Sequence, residues 1–234
     1  MSEESVERFR VYTESRSISD LVAALEKEDG QHSPREVKEN KDLKERWVLR
    51  KWLSSVGFAQ QLVGPFDLLQ SERPDFTLAH AGGTLGIEVA EITSQVVANY
   101  RKVVSENEEV FFSLPKPGDF PDNARAEKLR DHLLSPDKTR PYSGTEPENE
   151  IVQLTIKTIE KKRRKSQSYA SADMLVLLLY ENSGRPRDLW DEAHAPDAIA
   201  EAVMRACGEF SYVALWPVAE FSTEDGSFVE YLNR

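Results

Sequence analysis

Two carboxylates lie on either side of a short glycine-containing turn in this chain of 234 residues. Asp75 follows Pro74, and Glu88 lies in the segment Gly86-Ile87-Glu88-Val89-Ala90. Alternation with a period of two sends the apolar residues of this segment to one face of a strand and Glu88 to the other. Carboxylate oxygens on neighbouring strands are ligands that Mg²⁺ and Mn²⁺ prefer. The pattern predicts a divalent metal site; the alternative interpretation makes Asp75 a turn residue and Glu88 a solvent-facing one.

A third acid, Glu45, lies on a helix predicted from Lys41 to Val56. The apolar stripe of this helix consists of Val48, Leu49, Trp52, Leu53 and Val56, and Glu45 falls in the middle of it. Burying a carboxylate there is costly unless a cation or hydrogen bond compensates. We therefore expect Glu45 to join the site, unless the helix begins near Glu45, where an acid favours the helix dipole.

Basic residues concentrate near the end of another predicted helix, residues 148–168. From Lys157 to Lys165 there are six basic side chains and one acid, although the net charge of the chain is -11. One face of this helix carries Ile151, Thr155, Ile159 and Lys162. Lys162 therefore extends an inward stripe, and the basic run is a candidate for phosphate contacts. The alternative is a solvated helix end whose cations favour the dipole.

The residues Pro74-Asp75 and Gly86-Ile87-Glu88-Val89-Ala90 resemble the motif of the PD-(D/E)xK nuclease superfamily, and the order of elements is similar over residues 41–182. The resemblance implies a restriction-endonuclease-like fold and a metal-dependent nuclease, acting as an endonuclease or an exonuclease. It implies that Asp75 and Glu88 hold Mg²⁺ or Mn²⁺ with help from Glu45 and the Val89 carbonyl. The implied partner is nucleic acid, DNA in preference to RNA, and a homodimer is one arrangement that such folds use.

The sequence departs from the motif at Ala90, where the superfamily has a lysine. Some members carry the catalytic lysine on a later helix, so the resemblance implies this role for Lys162, with Lys161 and Lys165 as alternatives. A second hypothesis is that the chain is a catalytically inactive nuclease-like α/β protein that serves as a binding or interaction module. Its acidic surface and a proline-rich stretch would then contact a protein partner.

The predicted elements give an α/β protein with a mixed sheet, in which a hairpin core is flanked by helices. The predicted strands are 73–80, 84–93, 174–180 and 212–216, and the further helices are 95–110 and 196–207. Ala81-Gly82-Gly83 should provide the positive-φ residues of the hairpin turn. We divide the chain into a charged N-terminal extension, 1–40, and one domain, 41–234, with an irregular proline-rich insertion at 111–147.

Composition excludes several classes of protein. Hydrophobic residues make up 39% of the chain, which is too many for a disordered protein. The single cysteine, Cys207, excludes an internal disulfide framework and a cysteine-rich zinc site. The longest apolar run, Met174 to Leu179, is far shorter than the roughly 20 residues that cross a bilayer. We therefore expect a soluble, cytoplasmic protein with no membrane partner.

Overall fold

The computed structural model describes residues 10–29, 40–55, 57–105, 119–121, 124, 128–130, 146–166, 169, 172–182, 195–216 and 229–232. The strands are β1 (Arg10–Ser15), β2 (Phe66–Gln70), β3 (Phe76–His80), β4 (Gly83–Ile92), β5 (Met174–Glu181), β6 (Tyr212–Trp216) and β7 (Val229–Leu232). The helices are α1 (Ile18–Asp29), α2 (Lys41–Ser54), α3 (Gln95–Ser105), α4 (Glu146–Ser166) and α5 (Ala195–Ala206), and a 3-10 helix spans Phe58–Gln61.

The described strands form one mixed sheet in which they follow the chain order from β1 to β7. The first four strands are antiparallel to one another, whereas β4, β5 and β6 run parallel and β7 is antiparallel to β6. The antiparallel and parallel halves therefore meet at β4. Since β3 begins at Phe76, which pairs with Ile87, the second half of β4 extends beyond its antiparallel neighbour.

Helices cover both faces of the sheet. Leu21 of α1 and Trp52 of α2 belong to one buried cluster, with Ile87 of β4. Ile159 of α4 and Val203 of α5 belong to a second cluster on the other face. Because both faces are covered, β5 is apolar along most of its length instead of alternating.

The position at which α2 begins determines which of the two interpretations of Glu45 applies. The side chain of Asn40 accepts hydrogen bonds from the backbone amides of Asp42 and Leu43, at 3.0 and 3.2 Å. This N-cap starts the helix at Lys41, so Glu45 lies beyond the first turn, where the dipole interpretation has little force. The helix ends at Ser54, slightly earlier than the expected Val56.

Residues 10–29, which we expected to belong to a charged extension, are part of the domain. β1 pairs with β2 at the edge of the sheet, and α1 places Leu21 and Leu25 in the core with no exposed surface. The helix is capped by Ser17, whose hydroxyl accepts from the Asp20 amide at 3.2 Å. Local polarity hid this segment, because an edge strand needs few apolar residues.

The other elements differ from expectation mainly at their ends. Ala81 and Gly82 form the β3–β4 turn as expected, but Gly83 is the only residue of Ala81-Gly82-Gly83 with a positive φ, +130°. α4 spans Glu146–Ser166 instead of 148–168. Of the predicted insertion at 111–147, the described positions are 119–121, 124, 128–130 and the start of α4, and the rest of that prediction lies outside the described residues. None of the described helices is long and apolar enough to cross a membrane.

Candidate functional site

Asp75 directly precedes β3. Phe76, the first residue of β3, pairs with Ile87, and the Asp75 carboxylate bonds to β4 beyond this pair. The backbone amide of Ser71 donates to the Asp75 carbonyl at 2.9 Å and closes the loop that carries the aspartate. The Val89 amide donates to Asp75 Oδ2 at 2.8 Å. Since the amide and carbonyl of one strand residue point to the same edge, the Val89 carbonyl also lies on this edge, beyond Phe76, the first residue of β3.

Glu88 points to the opposite face of β4 from Ile87 and Val89, as alternation predicts, and its side chain is 5% exposed. Gly86, two residues before Glu88, is closely packed. A Cβ at Gly86 would lie 2.9 Å from Leu175 Cδ2 and 3.3 Å from Pro74 Cγ, so the Leu175 side chain would have to move to admit a larger residue.

Lys162 contacts both carboxylates. Its Nζ forms an ion pair and hydrogen bond with Glu88 Oε1 and lies 3.5 Å from Asp75 Oδ2. The inward stripe of α4 positions it, because Ile159 and Thr155 are fully buried one and two turns earlier. Ala90 belongs to the same buried cluster as Ile159, so its small side chain allows α4 to approach β4 at the position where the motif has a lysine.

Glu45 is the third acid of this region, and it is buried with 7% of its surface exposed. Its Oε1 lies 3.1 Å from Nζ of Lys41, a side chain that is itself largely exposed. Burial, and then the charge of Asp75, raise the pKa of Glu45 to about 7. Burial also raises the pKa of Asp75, and the Glu88 charge adds to this, while Lys162 and the Val89 amide oppose it.

A cleft of about 620 Å³ opens beside these residues. Its lining includes Lys162, Glu45, Val89 and Ala90, whereas Asp75 and Glu88, which Lys162 contacts, are not among the described residues that line it. The lysines that line the cleft are Lys41, Lys44, Lys157, Lys161, Lys162 and Lys165, and the acids are Glu45 and Glu91. The cleft is therefore locally basic in a chain with a net charge of -11.

Comparison with known proteins gives no match. No protein-family model, no curated protein and no solved structure corresponds significantly to this chain. The resemblance to the PD-(D/E)xK superfamily therefore stays a hypothesis based on the residues themselves.

The structure brings the residues named from the sequence into one region. Glu45, Asp75, Glu88 and Lys162 interact electrostatically, although they come from different elements. Lys162 contacts the carboxylate pair, whereas Lys161 and Lys165 lie on the cleft wall. In this conformation, no three His, Cys, Asp or Glu side chains of the described residues are arranged to hold a metal ion.

Two features of the site were missed from the sequence. The hydroxyl of Tyr169 is buried beside Glu88, and burial, then the charge of this carboxylate and a hydrogen bond to it, raise the pKa of Tyr169. Glu91 lies at the centre of a network with Lys44, Tyr180 and Asn182. Alternation could have placed Glu91 on the face opposite Glu88, but nothing in the sequence pointed to Tyr169.

Proposed function

We propose that this protein is a metal-dependent nuclease with a restriction-endonuclease-like fold, which hydrolyses phosphodiester bonds in DNA in preference to RNA. One observation carries the proposal: two buried carboxylates and a lysine, drawn from three separate elements, meet at the wall of a lysine-lined cleft. The mixed sheet with its central hairpin and flanking helices is compatible with such a fold.

The donor set fits Mg²⁺ or Mn²⁺. Mg²⁺ is usually held by one or two carboxylates, with water and substrate phosphates completing the coordination, so Asp75 and Glu88 are sufficient in number. Glu88 Oε2 is a buried acceptor with no hydrogen-bond partner among the described residues, which is the condition of an unused ligand. The Val89 carbonyl and Glu45 would complete the protein's share of the coordination.

A divalent ion held here would lower the pKa of a bound water and stabilise charge on the phosphate. Residues of the protein would hold the metal ligands in place and stabilise the charge that develops on the phosphate. Asp75 is held in place by the Val89 amide, and Glu88 by the packed strand beneath α4. Lys162 would place its ammonium beside the reacting phosphate and neutralise the charge that develops there.

The cleft lysines support a nucleic-acid substrate over a small phosphodiester. Lys157, Lys161 and Lys165 recur at intervals of four residues along α4, so their side chains follow one side of the helix. Such a row suits a phosphate backbone, whose binding is dominated by Lys and Arg contacts. Lys41 and Lys44 line the same cleft from α2.

The test is cleavage of linear duplex DNA, single-stranded DNA and RNA by the purified chain, with Mg²⁺, Mn²⁺ or EDTA. We expect metal-dependent cleavage that falls at least about a hundredfold in Asp75→Asn, because a metal-holding charge is lost. Glu160→Gln is the matched control, since Glu160 is exposed on α4 and does not line the cleft.

Two results would contradict the proposal. One is the absence of cleavage of every substrate under conditions where a known nuclease is active. The other is a cleavage activity that Asp75→Asn leaves unchanged. The first result, together with no effect of Mn²⁺ on thermal stability, would favour the non-catalytic interaction module instead.

A further inference from the structure

Lys162 is the cation that both carboxylates of the pair contact without any metal. The side chains of Asp75 and Glu88 are only 3% and 5% exposed, so each needs a compensating partner in the folded protein. The Lys162 ammonium supplies it to both, through the ion pair with Glu88 and the 3.5 Å contact with Asp75. The pair and Lys162 form one charge cluster, and the charges of Glu45 and Lys41 act on it from the side of α2.

Lys162 is the member of this cluster that lines the cleft. The two carboxylates that it contacts are not among the described residues of the cleft lining. A cation that approaches from the cleft therefore meets the ammonium first. Two cations that need the same carboxylate oxygens repel each other strongly in a site of low polarity.

We propose that Lys162 is the resident counter-ion of the Asp75–Glu88 pair, and that a divalent cation competes with it for these oxygens. This inference rests on the proposed function, because it concerns the same metal site. It gives Lys162 two successive positions: on the carboxylates in the metal-free protein, and displaced towards the cleft once a cation binds. A lysine that served the reaction alone would leave metal affinity unaltered.

Substitution of a residue in a metal site usually weakens metal binding, whereas substitution of Lys162 should strengthen it. Removing the Lys162 charge removes a competitor, so the affinity for a divalent cation should rise. In the metal-free protein the same change leaves two neighbouring buried carboxylates without their cation, so the folded state should become less stable.

The experiment titrates Mn²⁺ into the full chain without nucleic acid and measures binding by calorimetry and by melting temperature. We expect Lys162→Met to bind Mn²⁺ at least about tenfold more tightly than the wild type. Arg164→Met is the matched control, because Arg164 is exposed on α4 outside the cleft, and its affinity should change less than twofold. Lys162→Arg keeps the charge and should not show the tighter binding.

Melting temperatures in EDTA and in Mn²⁺ show whether Lys162→Met still folds. In EDTA the melting temperature of Lys162→Met should fall below that of the wild type, and saturating Mn²⁺ should close the gap. The double variant Glu88→Gln/Lys162→Met removes an acid together with its cation and should melt at a higher temperature in EDTA than Lys162→Met. A Lys162→Met protein that Mn²⁺ cannot stabilise would overturn the inference.

The outcomes distinguish this inference from the proposed function. Equal or weaker Mn²⁺ binding by Lys162→Met, in a protein whose wild type binds Mn²⁺, overturns the counter-ion role alone. Absence of Mn²⁺ binding in the wild type and in every variant overturns both the metal site and the competition.

Discussion

Glu88 and Glu91 are three residues apart on β4, and each meets a lysine from a helix, yet their surroundings differ. Glu88 faces α4 and Lys162, next to a second carboxylate, and its Oε2 has no hydrogen-bond partner among the described residues. Glu91 faces α2, and its two oxygens accept from Lys44 at 3.3 Å, from the Tyr180 hydroxyl at 2.9 Å and from the Asn182 amide at 2.6 Å.

The difference separates a carboxylate that holds a fold together from one that is prepared for a ligand. Neutral and charged donors satisfy both oxygens of Glu91, so this residue joins β4, β5 and α2. Glu88 has one unused acceptor and a neighbouring acid, an arrangement that costs stability without a cation. The neighbouring Asp75 carboxylate, rather than burial or the presence of a lysine, distinguishes Glu88 from Glu91.

Substitutions of Glu88 and Glu91 should differ most in their effect on the cleavage rate. Glu88→Gln should lower the metal-dependent cleavage rate by about a thousandfold, because it removes a charge that holds the cation. Glu91→Gln should lower it by less than about tenfold, since Glu91 contacts no other candidate ligand in the set Glu45, Asp75 and Glu88. Cleavage rates under saturating Mg²⁺ measure both, and comparable losses in the two variants would erase the distinction.

The free energy of unfolding should depend more on Glu91 than on Glu88. Glu91→Ala should lower the free energy of unfolding by about 2 to 3 kcal/mol, because the buried donors of Tyr180 and Asn182 lose their acceptor. Urea denaturation in EDTA and in Mn²⁺ should give the same loss. Exposed Glu160→Ala serves as the control, with a change of about 0.5 kcal/mol or less. A loss for Glu91→Ala that Mn²⁺ reduces would instead make Glu91 a ligand.

Glu45, the third acid of the site, should make the stability of the protein depend on pH, and this effect should be smaller than those of substitutions at Glu88 and Glu91. The folded-state pKa of Glu45 is about 7, above its ordinary value of 4.5, so between these values the folded protein holds a proton that the unfolded chain has released. The Glu45 contribution to stability is therefore fully present below pH 4.5 and is lost as the pH rises through 7.

Relative to the wild type, Glu45→Gln should gain about 1 to 2 kcal/mol of stability between pH 5 and pH 8 in EDTA. Denaturation curves at these two pH values measure the difference, with Glu160→Gln as a variant that should show none. A stability difference independent of pH would show that Glu45 remains ionised in the folded protein.

Patterns within single elements predicted most of the site. Alternation along β4 gave the facing of Glu88, and helical spacing gave the inward positions of Glu45 and Lys162, because local geometry decides which face a residue occupies. The long helix and the buried strand β5 followed from periodicity and from an apolar run, with ends displaced by one or two residues.

Contacts between distant segments were beyond such patterns. β1 carries few apolar residues and β2 is only five residues long, so the edge of the sheet was missed and residues 10–29 were taken for an extension. The choice of Lys162 over its neighbours depends on how closely α4 approaches Ala90. Tyr169 reaches Glu88 through the fold alone, so no spacing in the sequence could indicate it.

The parallel pairing of β4 with β5 has a consequence for when the site can exist. Residues 85–92 pair with residues 174–181, and the chain between them carries α3 and α4. The β3–β4 hairpin is a local contact that forms early, but Lys162 can reach Glu88 only after this long loop has closed. The carboxylate pair therefore spends the early part of folding without its lysine, in water, where two neighbouring acids cost little. The site is a property of the completed sheet, and no fragment that lacks either half of the chain contains it.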